Sequence, residues 1–307
     1  MKNNTKRIVR NYQIFKIAVF VTLCIALFIV LIVIMDVSSN PFLLILVLPT
    51  FCFINYNIYK FYFQKHVYGI LEKECDAVKF GDVINLIGKK VHWTVRAEAK
   101  IGLGEYESAI ILWKSWYACI KKIDLKFIIL NNLAVFYFEM RDFDNLQNIL
   151  SEVENLKKPN YKIKPIIKSN LELFESFLNK DFNRCFYILK KRLPDNSKLV
   201  NSRRKLFAAK LKYAIVCYES GDCEKSKECF LYIIENAPKL LGYKYIAQKY
   251  IEAINKNDSQ ILNSLDFGPA IYDIELEISE RKKEIVIQYI LTISIAIVGI
   301  LYVFFVF

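Results

Sequence analysis

Three apolar runs without a charged residue, at 17–35, 42–59 and 285–307, frame a long stretch of mixed polarity. About 20 apolar residues rising 1.5 Å each are needed to cross the hydrocarbon of a bilayer, so the first and third runs predict membrane-spanning helices. The second run contains Pro49 and ends among Asn55 and Asn57. It predicts the other half of a transmembrane hairpin, favoured by the short polar turn at 36–40, or else a re-entrant segment. Tyr56, Tyr59, Phe61, Tyr62 and Phe63 form a cluster of the kind found at a membrane interface. A secretory signal peptide cleaved near 37–39 is the other reading of the first run. Its apolar region is too long for that, and a second run follows at once.

Between the runs, apolar residues recur at helical spacing and are interrupted by a repeated turn signal. The signal stands at Gly81-Asp82, Gly104-Glu105, Arg141-Asp142, Lys180-Asp181 and Gly221-Asp222. A glycine or polar residue ends one helix, and the acid begins the next, where the helix dipole favours it. With 9 Gly and 7 Pro in 307 residues, a turn-rich β architecture is disfavoured and the chain reads as all-α.

The residues around these turns resemble the tetratricopeptide repeat (TPR) family. The second unit carries Trp93, Ala97, the Gly104-Glu105-Tyr106 turn and Ala109; the third carries Leu133, Ala134 and Tyr137 before Asp142-Phe143; the fifth carries Ala214, Gly221-Asp222, Phe230 and Pro238. Small residues let paired helices approach and large apolar neighbours fill the space around them. The first two turns are about 23 residues apart and the later ones about 37 to 41, against the 34 of the standard repeat. The first and fourth units match poorly, and a generic helical bundle is the plainer alternative. The resemblance implies an irregular TPR-like α-solenoid over 64–254, flanked by transmembrane helices at both ends. It also implies a concave groove that binds a protein or peptide. On the Asn-Leu-Ala segment of the third unit, the groove role falls on Asn132, which bonds either a ligand backbone or the solenoid itself. Asn170 occupies a similar segment in the fourth unit, with Glu172 replacing the small residue. Lys212 is the equivalent position of the fifth unit.

Charge adds orientation. The formal net charge is +12, and the first sixteen residues hold Lys2, Lys6, Arg7, Arg10 and Lys16 with no acid. Cations are retained on the cytoplasmic side, as are Lys60, Lys65 and Arg281, Lys282 and Lys283 beside the other runs. The reading is therefore an integral protein of a bacterial cytoplasmic membrane, with 1–16 and the repeats cytosolic and the C-terminus outward. The stretch 255–284 is acid-rich and reads as a juxtamembrane helix continuing into the last span, although 273–278 also alternates as a strand would. A basic cluster includes Lys190, Lys191, Arg192, Arg203, Arg204 and Lys205. It is a solvated helix face, a contact for anionic lipid, or a grip for an acidic partner segment.

Catalytic chemistry has little footing. No P-loop, dinucleotide fingerprint, H-E-x-x-H or G-x-S-x-G occurs, only His66 and His92 are present, and the eight cysteines form no C-x-x-C pair. The expectation is no enzyme, no metal and no cofactor. Nucleic acid is disfavoured because no reading motif accompanies the charge. The sequence thus points to a membrane-anchored scaffold or receptor whose repeats recruit a cytosolic protein or peptide. The alternative is a membrane accessory or immunity-type protein acting through its spans, with the repeats as support.

Overall fold

The computed structural model describes residues 2–37, 54, 56–88, 92–156, 164–191, 202–283 and 286. A long helix α1 (Lys2–Val37) is followed by a helical stretch over 56–72, in which a π-turn (Phe63–Tyr68) runs into one α-turn (Gly69–Glu72). Ten helices follow: α2 (Ala77–Ile87), α3 (Trp93–Leu103), α4 (Tyr106–Cys119), α5 (Ile123–Met140), α6 (Phe143–Leu156), α7 (Pro165–Leu178), α8 (Phe182–Lys190), α9 (Arg203–Glu219), α10 (Cys223–Asn236) and α11 (Leu241–Lys256). A 3-10 turn (Ser259–Ser264), an extended stretch and a final helical segment at 274–283 complete the described chain. The described residues are all-α, as the periodicity predicts.

The turns explain the helix pairs. At Gly104, Arg141, Lys180, Gly221 and Asn257 the backbone enters the left-handed region, with φ of 88°, 62°, 58°, 90° and 50°. The N–H of each following acid reaches back five residues: Glu105 to Lys100 O (2.8 Å), Asp142 to Tyr137 O (2.9 Å), Asp181 to Ser176 O (2.8 Å), Asp222 to Cys217 O (2.9 Å) and Asp258 to Ala253 O (3.0 Å). This is the Schellman closure of a helix end. Asp142, Asp181 and Asp222 then accept from the backbone N–H three residues on and start the next helix.

The turn expected at Gly81-Asp82 is not there. Both residues lie inside α2, where Gly81 is buried and a Cβ on it would sit 3.0 Å from Leu103 Cδ1. The glycine serves close packing of α2 on α3. The corresponding turn is Cys75-Asp76, with φ of 54° at Cys75 and Asp76 accepting from Lys79 N at 3.0 Å.

Helices α3–α4, α5–α6, α7–α8 and α9–α10 pack as pairs, and α5 also lies on α7. The array then turns back on itself: α11 packs on α3, and α9 meets the turn at 69–72. Gly242 and Gly104 permit this closure. A Cβ on Gly242 would lie 2.6 Å from Ile101 O and 3.1 Å from Gly104 Cα. Ala77 N–H also donates to Lys239 O (3.3 Å), and Lys239 Nζ pairs with Asp76 at 2.5 Å. The core is strongly aromatic: Trp93 and Trp113 meet edge to face at 4.7 Å, and Tyr250 stacks on Phe230 at 4.7 Å.

The expected transmembrane helices are corrected by the structure. Among the described residues, no helix is long and apolar enough to cross a membrane. The apolar run at 17–35 is the second half of α1. The first half of that helix carries the basic residues and packs on the body, with Thr5 and Val9 buried. Most of 42–59 and nearly all of 285–307 lie outside the described residues. The integral-membrane location and its orientation, inferred from those spans, fall with this correction. Residues 2–16 begin α1, where Tyr12 and Phe15 stack on Tyr62 at 6.2 and 3.9 Å.

Candidate functional site

The inner faces of α5, α7 and α9 hold the residues singled out from the sequence. Asn132 is half-buried on α5. Its neighbour Asn131 is buried and accepts a hydrogen bond from Asn170 Nδ2 at 2.8 Å, which joins α5 to α7. Lys212 is buried on α9, with Nζ 3.3 Å from Glu139 Oε1 and 3.4 Å from Ala208 O. Glu139 also accepts from Tyr106 Oη at 3.0 Å. Burial pushes the Glu139 carboxyl above the ordinary range, against the pull of Lys212 and Tyr106. Asn170 and Lys212 thus bond within the chain itself.

The basic cluster divides by direction. Arg204 points inward, donating to Glu72 Oε1 at 3.1 Å and to Glu98, with Tyr68 Oη at 3.5 Å. Burial opposes its charge, yet Glu98, Tyr68, Tyr243 and Glu72 hold the guanidinium protonated more firmly than usual. Lys190, Lys191, Arg203 and Lys205 face solvent. Lys191 Nζ bonds Tyr187 Oη at 2.6 Å, and Arg203 reaches Asn236 O at 3.4 Å. Arg192 lies outside the described residues.

Two sets of ion pairs therefore take up these side chains: Arg204 meets Glu72 and Glu98, and Lys212 meets Glu139. Sequence reading missed these carboxylates. The available signal was Glu139 itself, a lone acid in the aromatic run Phe136-Tyr137-Phe138.

A second constellation was also missed. Beyond the 3-10 turn, the chain runs back across α3 and α4. Phe267 is buried against Tyr106 and Tyr245, with ring centroids 4.8 and 5.6 Å away. Gly268, at φ 73°, precedes Pro269. Ile271 N–H then donates to Ser108 Oγ at 3.1 Å. The Tyr272 ring carries Arg96 at 5.1 Å and Lys100 at 5.9 Å. Glu277 pairs with Arg96 at 3.4 Å and Arg281 at 3.5 Å. Cys119 Sγ lies 3.8 Å from Ile278 O. This segment is helical over 274–283, as the sequence favours over a strand, and with 270–273 it forms a strap laid on the repeat surface.

Two cavities flank the strap. One of about 160 Å³ has Tyr272 in its wall with Gly81, Ile84, Arg96 and Leu103. The other, about 440 Å³, is lined by Glu107, Arg141, Asp142, Asn263, Asp266 and Phe267. Among the described residues, no group of three His, Cys, Asp or Glu side chains is placed to hold a metal ion. Burial pushes the Cys185 and Cys217 thiols up to about 12, which keeps them protonated and poor nucleophiles. The arrangement is suited to holding a segment of chain through charge, aromatic and backbone contacts.

No family model matches the chain, and no curated protein or solved structure matches it either.

Proposed function

We propose that this chain is a helical-repeat scaffold of the TPR kind that holds a protein or peptide segment. One observation carries the reading: the α3–α4 pair already holds a linear segment, 270–283, through a backbone bond to Ser108, a cation–aromatic contact at Tyr272 and an ion pair at Glu277. These are contacts by which a repeat surface grips a partner segment. Lys212 and Asn170, expected in a concave groove, are engaged within the chain, which favours the outer faces. Asn132, like Asn170, keeps some exposure.

The test is crosslinking in the native cell from photoreactive side chains placed at Asn132, Glu107 and Lys205 of the full chain. The scaffold reading expects one defined protein adduct from at least one of these positions. Adducts confined to this chain at all three would overturn it.

A further inference from the structure

We infer that the strap is a releasable internal ligand. The surface beneath it would then bind, in another molecule, a segment carrying an aromatic residue with a carboxylate five residues further on. This rests on the scaffold reading and names the chemistry of its partner. The spacing is that of Tyr272 and Glu277, which both reach Arg96.

The division of contacts supports release. Up to Phe267 the chain is anchored by buried apolar contacts, with Leu262 and Phe267 in the core. Gly268-Pro269 follows and marks the boundary, with φ of 73° at Gly268 and nothing within 4 Å of a Cβ placed there. Beyond it the directed contacts run to Ser108, Arg96 and Lys100, with Tyr272 partly buried against the core and Glu277 and Arg281 buried in ion pairs. Meanwhile Ile271 and Leu276 stand 60% and 59% exposed. A segment held by a few ion pairs, one backbone bond and one aromatic contact, with Ile271, Ile274 and Leu276 exposed, opens at lower free energy than the core beneath it. Arg96 and Lys100 stay fixed on α3 when it leaves. They keep two cations beside a cavity whose wall Tyr272 completes. An acidic segment with an aromatic side chain matches that surface in charge and shape.

The experiment uses the purified full chain and a fluorescent peptide with the sequence of residues 269–283. Binding is compared for the unaltered chain, for a strap-weakened chain (Tyr272→Ala with Glu277→Lys), and for that chain with Arg96→Glu added. An internal ligand present most of the time lowers apparent affinity by the fraction of chains left open, so weakening the strap should tighten peptide binding by about 10-fold or more. Arg96→Glu should abolish it. Equal binding to the unaltered and strap-weakened chains, or binding to neither, would overturn the inference. Hydrogen exchange guards against loss of fold in the variants. In the unaltered chain, 270–283 should exchange well ahead of α3 and α4, and protection equal to theirs would also overturn it. If the peptide fails while the crosslinks to a defined partner persist, only the strap inference is lost and the scaffold reading stands.

Discussion

Lys212 shows most clearly what one residue does in this molecule. Its ammonium and the Glu139 carboxylate are both buried, and Tyr106 supplies the further bond that the carboxylate needs. Removing one member of such a pair leaves the other charge without compensation, which costs about 3–5 kcal/mol. Lys212→Met should lower unfolding stability by that order in chemical denaturation. Adding Glu139→Leu should restore part of it, since it removes the stranded charge but leaves the Tyr106 hydroxyl without its acceptor. The sequence marks Lys212 as special through its register with Asn132, but register states only which face a residue occupies. Its partner lies 73 positions away on another helix pair and leaves no local signal. Asn170 is similar: its repeat position is legible, whereas its bond to Asn131 depends on how closely α5 and α7 approach.

Among the elements, the turns were the most legible part of the fold. Gly104, Arg141, Lys180 and Gly221 with their following acids all end one helix and begin another. Asp222 caps α10 through Lys225 N at 3.2 Å, so Asp222→Ala should cost about 1 kcal/mol. Asp222→Asn should cost little, because an amide oxygen accepts the same bond. Thermal melts of both variants separate capping from charge. Gly81 misleads because a glycine before an acid looks the same whether it terminates a helix or clears space inside one. Leu103, which occupies that space, belongs to another helix. Cys75 hides the true turn because a non-glycine residue at positive φ carries little compositional mark. The apolar runs misled more deeply. Length and composition describe a run by itself, whereas α1 shares one helix between a packed polar half and an apolar half, with Ile17, Phe20, Ile25 and Ile29 more than half exposed.

At the scale of the whole molecule, all-α architecture and a repeated helix pair are legible in the sequence, while closure is not. Closure depends on Gly104 and Gly242, whose chain separation spans most of the array. A methyl group at Gly242 would press on the Ile101 carbonyl and the Gly104 backbone, neither of which yields as a side-chain end does. Gly242→Ala should therefore destabilise the chain by about 1–3 kcal/mol, despite the higher helix propensity of alanine. At Gly81 the facing atom is the tip of Leu103, and Gly81→Ala should be much milder. Equilibrium denaturation of the two variants side by side checks this contrast.

The contact of α11 with α3 has a further effect. An open row of repeats behaves as a chain of nearest neighbours, so units fray from the ends and whole units are gained or lost with little harm. Here α11 is also a neighbour of α3, which joins two distant parts of the row at that seam. Melting becomes cooperative across the seam instead of progressive along the row. The number of units is fixed as well: inserting or deleting one helix pair would pull Gly242 away from Gly104, so this array cannot drift in length by duplication as open arrays do.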